Sequence, residues 1–187
     1  METIFNIIKR EYEEYYRNML RQGQLPVKDT GIGFWGPSIT EEIFEVFKKL
    51  KLHKYESFID LGAGDGKVVL IASLFCKKTV GIEFDPILLG KALEIKEKLK
   101  LNATFYHGDY FYHNISKYDI VFCYPDKPMY RGLEEKLLRE LRGKFIHYGH
   151  HFYPSQLKKI KSFLINNTPI SIYINPIIHK QRVNKNK

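Results

Sequence analysis

The spacing of apolar residues changes repeatedly between a helical and a strand-like pattern along the chain. Residues 3–22 carry apolar side chains at every third or fourth position, which predicts an amphipathic helix. From residue 56 onward, short apolar runs alternate with further helical stretches. The predicted strands lie near 56–61, 78–84, 103–107, 118–124 and 144–148, and the helices between them near 66–76, 86–100 and 130–141. Apolar strands that alternate with helices indicate a doubly wound α/β domain with a mostly parallel sheet.

The segment before the first strand combines a loop and a helix. Residues 23–37 are rich in glycine and proline, which predicts a loop, and they hold Phe34 and Trp35, the only tryptophan. Large rings in a glycine-rich loop favour a flap or a pocket wall over a core position. The next four residues, Ser38 to Glu41, form a capping box that is predicted to open a helix running to about residue 50.

The C-terminal part is ambiguous. Residues 157–165 have apolar side chains at helical spacing, but they precede a good turn at 166–169 and a strand at 170–174. Both a helix and a strand therefore stay open for 157–165.

Length and composition favour one domain. The chain has 187 residues, which is enough for a full core, and 44% of them are hydrophobic. We expect an N-terminal helical extension over 1–30, an α/β core over 31–180 and a basic tail over 181–187. The net charge of +9 fits genome composition or a hot habitat, or alternatively an acidic partner such as nucleic acid.

Several kinds of protein are disfavoured. The two cysteines provide no disulfide framework and no zinc spacing, so we expect a reducing, cytoplasmic location and no metal site. His147, His150 and His151 alternate between strand faces, so they are expected to form structural hydrogen bonds and not a metal cluster. No apolar run reaches the length of a membrane span and no signal peptide is apparent, so no membrane partner is predicted. No motif fixes the oligomeric state.

The most informative motif joins the first strand to the helix after it. It reads Asp60-Leu61-Gly62-Ala63-Gly64-Asp65-Gly66. Its glycines permit a tight turn and close approach of a ligand, and the helix behind it presents free N–H groups. The spacing differs from the G-x-G-x-x-G of dinucleotide folds and from the phosphate-binding P-loop. An acid at the strand end favours a ligand with a positive group, such as an amine or a sulfonium, over a phosphate.

Two further acids follow later strands. Glu83 lies 21 residues after Gly62, at the end of the second strand, where a carboxylate can accept hydrogen bonds from ribose hydroxyls. Asp109, within Gly108-Asp109-Tyr110, follows the third strand. The three acids lie at the carboxyl ends of strands, the edge at which doubly wound sheets bind ligands.

With these residues the sequence resembles the class I S-adenosylmethionine-dependent methyltransferases. The resemblance implies a Rossmann-like sheet of the seven-strand type and a closing antiparallel hairpin at its end. It implies S-adenosyl-L-methionine as cofactor, with Asp60 at the methionine end, Glu83 on the ribose and Asp109 on the adenine amino group. The full set of residues that it implies for cofactor binding is Asp60, Gly62, Gly64, Gly66, Glu83, Phe84, Asp109 and Tyr110.

The acceptor side is sought after the fourth strand, in Tyr124-Pro125-Asp126-Lys127-Pro128. Methyltransferases acting on adenine or cytosine commonly carry Asn/Asp-Pro-Pro-aromatic here, and this chain departs from that pattern. The chain instead resembles small archaeal protein-lysine methyltransferases in the segments 34–38, Tyr124 and 150–152. That resemblance implies N-methylation of a lysine side chain in a protein substrate. The alternatives are an RNA or DNA methyltransferase and a non-catalytic protein that binds the cofactor.

On this reading five residues form the acceptor site. Tyr124 and Asp126 are the predicted catalytic residues, while Phe34, Trp35 and Tyr130 are predicted to bind the substrate. For Asp126 the options are to orient the amine, to accept its proton, to pair with Lys127 or to cap the next helix.

Overall fold

A computed structural model describes residues 1–178, so the predicted basic tail and the last two residues of the predicted core lie outside the described residues. In the first part of the chain, helix α1 (Glu2–Arg21) leads to the two-residue strands β1 (Lys28–Asp29) and β2 (Phe34–Trp35), then to helix α2 (Thr40–Lys49). The alternating part comprises β3 (Ser57–Leu61), α3 (Lys67–Ala72), β4 (Lys78–Glu83), α4 (Pro86–Leu99), β5 (Thr104–His107), β6 (Ile120–Cys123), α5 (Leu133–Glu140) and β7 (Lys144–Tyr148). Strands β8 (Lys158–Ile165) and β9 (Thr168–Ile174) follow.

The main sheet has seven strands in the order β5-β4-β3-β6-β7-β9-β8. The first five of these pair in parallel, whereas β9 runs antiparallel to both β7 and β8. The main sheet therefore starts at β3, winds through β4 to the β5 edge, and continues with β6 on the other side of β3. This reversal creates a crevice at the carboxyl ends of β3 and β6. The predicted doubly wound α/β fold is confirmed, including the mostly parallel seven-stranded sheet.

The two central strands are buried along their whole length, which explains their continuous apolar pattern. Their alternate side chains enter two different clusters. Phe58 and Phe122 pack on one face with Phe47 of α2, and Ile59 and Val121 pack on the other face among residues of α5 and β7. Helix α1 joins the first cluster through the following buried side chains: Phe5, Ile8 and Tyr12.

The ambiguous segment 157–165 is strand β8, which closes the sheet as a hairpin with β9. Its helical spacing has a local cause, because the pairing of β8 with β9 shifts between Lys159 and Lys161. An extra residue at such a bulge breaks the two-residue period, so that Leu157 and Phe163, six positions apart, pack in the two different clusters instead of on one face.

The predicted capping box is wrong. Helix α2 has Ile39 as its N-cap residue, and no side chain caps it. The carbonyl of Ser38 accepts a hydrogen bond from the Lys67 side chain, and Glu41 forms an ion pair with Lys9 of α1 at 2.5 Å. Contacts with the rest of the molecule therefore replace the local cap. The predicted loop 23–37 also contains regular structure, since β1 and β2 pair antiparallel within it.

Within residues 1–178, no helix has both the length and the apolar character that crossing a bilayer requires.

A candidate active site at the carboxyl ends of the strands

A cavity of about 110 Å³ lies where the crevice between β3 and β6 opens. Four segments form most of its wall, namely residues 32–38, 60–63, 82–84 and 122–128. They comprise the loop before α2, the glycine turn, and the ends of β4 and β6. The segments that the sequence singled out separately therefore meet at one place.

The glycine turn has one open and one covered position. Gly62 has φ +77° and, apart from its chain neighbours, no atom of the described residues lies within 4 Å of the place where a Cβ would stand, so the backbone is open to a ligand. At Gly64, with φ +56°, a Cβ would collide with the indole ring of Trp35. Gly66 lies farther from the cavity, beside Ala92 and Phe105.

Asp60 lies in the cavity wall and is buried, with only 3% of its surface exposed. Within residues 1–178, its carboxylate makes no hydrogen bond or ion pair with the protein. Burial raises the pKa of Asp60 well above its ordinary value, and the negative charges of Glu83 and Asp65 raise it further. A buried carboxylate without a partner is costly. The cavity therefore fits a ligand that offers a positive group or hydrogen-bond donors at this point.

Glu83 is held in a fixed orientation by two backbone groups. Its Oε2 accepts a hydrogen bond from the Gly64 N–H at 2.7 Å, and its Oε1 accepts one from the Asp85 N–H at 2.7 Å. Each oxygen keeps a second lone pair for a ligand. Burial raises the pKa of Glu83, while the two backbone donors oppose that rise.

The remaining predicted cofactor-binding residues are only partly at the cavity. Phe84 and Tyr110 line it, as does Gly108. Asp109 is not among the lining residues. Its Oδ1 accepts a hydrogen bond from the Phe111 N–H at 2.8 Å, which caps a short 3-10 helix. A role for Asp109 in binding adenine stays a prediction.

On the acceptor side, Tyr124 lies at the mouth of the cavity, half exposed. Its ring packs edge-on against Tyr148 at 4.9 Å between centroids, and it also lies over Gly149. Asp126 neither pairs with Lys127 nor caps α5 within the described residues. Its Oδ2 accepts a hydrogen bond from the Phe34 N–H at 2.6 Å.

The loop before α2 crosses the cavity as a strap, a name used here for residues 28–35. Trp35 is a wall residue, and it is only 9% exposed because its ring covers Gly64. Phe34 also lines the cavity but is 71% exposed. Tyr130 is 79% exposed and is not part of the wall, where Arg131 stands instead.

Three further residues of the cavity were not predicted as site residues. Lys127 donates to the carbonyl of Ile32 at 2.6 Å, and Asp65 lies on the wall beside the glycine turn. Cys123 is a buried free thiol at the end of β6, and burial raises its pKa. Outside the cavity wall, His147 is buried, with Nε2 2.8 Å from the His151 carbonyl and a pKa lowered to about 4 mainly by burial. Its hydrogen bond is structural, as the strand pattern predicted.

The fold is that of a class I methyltransferase. The chain superimposes on an RNA methyltransferase from Salinibacter ruber, solved with S-adenosyl-L-homocysteine, with a TM-score of 0.66 and 22% identity over 75% of this chain and 94% of that one. For the YcgJ protein of Bacillus subtilis the TM-score is 0.54 at 14% identity, over 68% of this chain and 73% of that one. At these identities the likeness shows the fold alone.

Sequence comparison defines the family. The profile of the ANTKMT methyltransferase domain matches residues 60–157, more than half of the chain. The chain therefore belongs to this methyltransferase family and, with it, to the S-adenosylmethionine-dependent class I enzymes.

Curated relatives match the same region. A lysine N-methyltransferase of Homo sapiens, named as acting on an ATP synthase subunit, is 33% identical over 107 residues, which cover 56% of this chain and 46% of that protein. The Rattus norvegicus protein of the same name is 29% identical over 107 residues, which cover 56% and 49%. The match thus spans about half the length of these relatives. Both relatives come from animals, so the predicted resemblance to archaeal enzymes in particular stays a prediction.

Proposed function

We propose that this protein transfers a methyl group from S-adenosylmethionine to the side-chain nitrogen of a lysine in a protein. One observation carries the proposal: Asp60, a buried acid without a partner among residues 1–178, faces a cavity beside an open glycine turn, in a chain of a methyltransferase family. The names of the curated relatives support lysine as the acceptor.

The cofactor side would be held by three features. Asp60 offers a carboxylate to the positive methionine end, the open backbone at Gly62 admits close contact, and the two free lone pairs of Glu83 suit a pair of ribose hydroxyls. Phe84 and Tyr110 supply flat apolar surface for the adenine. When bound, the cofactor supplies an activated methyl group on a sulfonium.

The acceptor side would mainly position the amine. A lysine must lose its proton before its nitrogen can act as a nucleophile, and a pocket walled by Tyr124 and Trp35 disfavours the charged form by desolvation. Attraction between the ammonium and the same rings opposes this effect. Asp126 keeps Oδ1 available to orient the amine, since only Oδ2 binds Phe34. Alignment of the nitrogen with the methyl group can then supply much of the rate.

A nucleic acid is the second candidate acceptor, favoured by the net charge of +9. The test is labelled methyl transfer from S-adenosylmethionine into a lysate, with the lysate treated beforehand with RNase, DNase or protease. The proposal expects label that survives nuclease, disappears with protease and is recovered as methyl-lysine. Label lost with nuclease would establish the alternative. The first defined protein to try is the ATP synthase subunit for which the relatives are named, in purified form.

A non-catalytic role is separated by the same assay. Binding of the cofactor by calorimetry, with no label in any lysate, would support a binding protein.

For location we propose a reducing compartment, because Cys76 and Cys123 are both buried free thiols.

A further inference from the structure

Two tyrosines of α1 hold one residue of the glycine turn. The Tyr12 hydroxyl donates to the carbonyl of Asp65 at 2.7 Å, and the Tyr16 hydroxyl donates to Oδ2 of the same residue at 2.5 Å. The tyrosines are four positions apart, so they project from one face of the helix. Both the backbone and the side chain of Asp65 are thereby bound from outside the family-matched region, which begins at residue 60.

Lys67 extends this contact to the segment before α2. Its side chain is 2% exposed, and its ammonium donates to the Tyr16 hydroxyl at 3.0 Å and to the Ser38 carbonyl. The Tyr16 ring also lies 4.9 Å from the ammonium. Lysine is almost never fully buried unless it is paired. One buried cation therefore links α1, the glycine turn and a wall residue of the cavity.

Asp65 is well placed to pass this restraint to the cofactor site. It stands between Gly64 and Gly66, lines the cavity and is buried. Its Oδ1 also accepts a hydrogen bond from the Lys67 N–H at 3.3 Å, within the first turn of α3. Burial raises the pKa of Asp65, while Lys67 and the Tyr16 hydroxyl lower it.

We infer that Tyr12 and Tyr16 are positioning residues of the cofactor site, which hold the glycine turn in its binding shape through Asp65 and Lys67. The inference rests on the proposed function for the identity of the ligand. A glycine turn is flexible by composition, so an external restraint removes entropy that binding would otherwise cost. Helix α1 is then part of the site and not only a cover of the core.

The test compares Tyr16→Phe with Tyr15→Phe. Both changes remove one hydroxyl from α1 and keep the ring, but within residues 1–178 the Tyr15 hydroxyl makes no hydrogen bond. Two measurements are made on each variant: affinity for S-adenosyl-L-homocysteine by calorimetry, and hydrogen exchange of the amides of residues 62–67 without ligand. For Tyr16→Phe we expect about tenfold weaker binding and faster exchange in the turn, because a charge-assisted hydrogen bond is lost. Tyr15→Phe should match the wild type in both.

A purely structural role predicts a different result. If Tyr16→Phe lowers Tm but leaves affinity and exchange in the turn unchanged, the inference is overturned. Tyr12→Phe is a second variant in case Tyr16→Phe folds poorly. It removes the hydrogen bond to the Asp65 carbonyl, so it should also weaken binding and speed exchange in the turn. A wild-type protein that binds no S-adenosyl-L-homocysteine would instead overturn the proposed function, and the exchange rates would then decide the positioning role alone.

Discussion

The two sides of the cavity are built in different ways. Most of the cofactor side comes from one continuous βαβ segment, in which β4 orders the turn after β3, and Tyr110 joins it from beyond β5. Glu83 binds the Gly64 N–H, and the Ile82 carbonyl accepts from the N–H groups of Gly62 and Ala63 at 3.0 and 2.8 Å. The acceptor side joins segments far apart in sequence, such as Asp126 and Phe34, and much of it is exposed.

This difference indicates which side of the cavity can vary between related proteins. A turn fixed by backbone hydrogen bonds depends on a few glycines and acids, so it can serve many proteins of one class. A mouth formed by loops and exposed rings can change with the substrate.

The strap connects the two sides. At the cofactor side, Lys28 forms an ion pair with Asp85 at 2.6 Å, directly after β4. At the acceptor side, Phe34 and Ile32 bind Asp126 and Lys127. A change on either side can therefore reach the other through residues 28–35, and single substitutions can measure how far the two sides are independent.

The largest effect is expected on the cofactor side, from Glu83→Ala. This change leaves the buried Gly64 and Asp85 N–H groups unpaired and removes the acceptor proposed for the ribose. Each buried donor left unpaired costs about 1–3 kcal/mol. We expect cofactor binding at least about tenfold weaker by calorimetry. Glu97→Ala, at an exposed position of α4, is the control. Unchanged affinity in a folded Glu83→Ala protein would remove Glu83 from the site.

Gly64→Ala should disturb both sides through the strap. The new methyl group would collide with the Trp35 ring, and the alanine would have to adopt a φ of +56°, in the left-handed region. We expect the indole to be pushed towards solvent, with red-shifted tryptophan emission, a loss of about 1–2 kcal/mol in stability and weaker cofactor binding. Trp35 is the only tryptophan, so its emission reports the strap directly.

The control for this variant is Gly90→Ala in α4. Apart from its chain neighbours and the backbone of α4, no atom of residues 1–178 lies within 4 Å of a Cβ at Gly90, so the change should leave emission unaltered and stabilise the helix slightly. If Gly64→Ala keeps the emission of the wild type, Trp35 does not rest on the turn in solution.

Tyr124→Phe should affect the acceptor side alone. The ring keeps its packing against Tyr148 and Gly149, so only the hydroxyl at the cavity mouth is lost. We expect turnover to fall by about fivefold, within the range of one lost neutral hydrogen bond, with cofactor affinity unchanged. Tyr130→Phe should change neither quantity, because that side chain is exposed and off the wall. Equal loss of turnover and cofactor affinity in Tyr124→Phe would show that the two sides are not separable.

The contrast between local and long-range contacts also explains which features of the site the sequence predicted. The glycine turn and Glu83 could be identified because strand, turn and acid follow one another locally. The Tyr16–Asp65 and Phe34–Asp126 bonds could not, since they join residues 49 and 92 positions apart and no local pattern relates the two partners of either bond. The false capping box and the helical spacing in β8 have a related cause. In both places, a tertiary contact or a bulge overrides a correct local pattern.

The smallest effect is expected from Asp60→Asn, and its sign depends on pH. Because the pKa of Asp60 is raised in the folded state, the folded protein binds its proton more tightly than the unfolded chain does. Stability therefore falls as pH rises from the ordinary aspartate pKa, about 3.9, through the folded pKa. An asparagine removes this penalty, so apo Asp60→Asn should have a Tm a few degrees above the wild type at pH 7. The two should converge near pH 4, and cofactor binding should weaken in the variant. A variant that is less stable than the wild type at pH 7 would mean that a donor binds this carboxylate in solution. The Asp60 carboxylate would then already have a partner in the protein without cofactor.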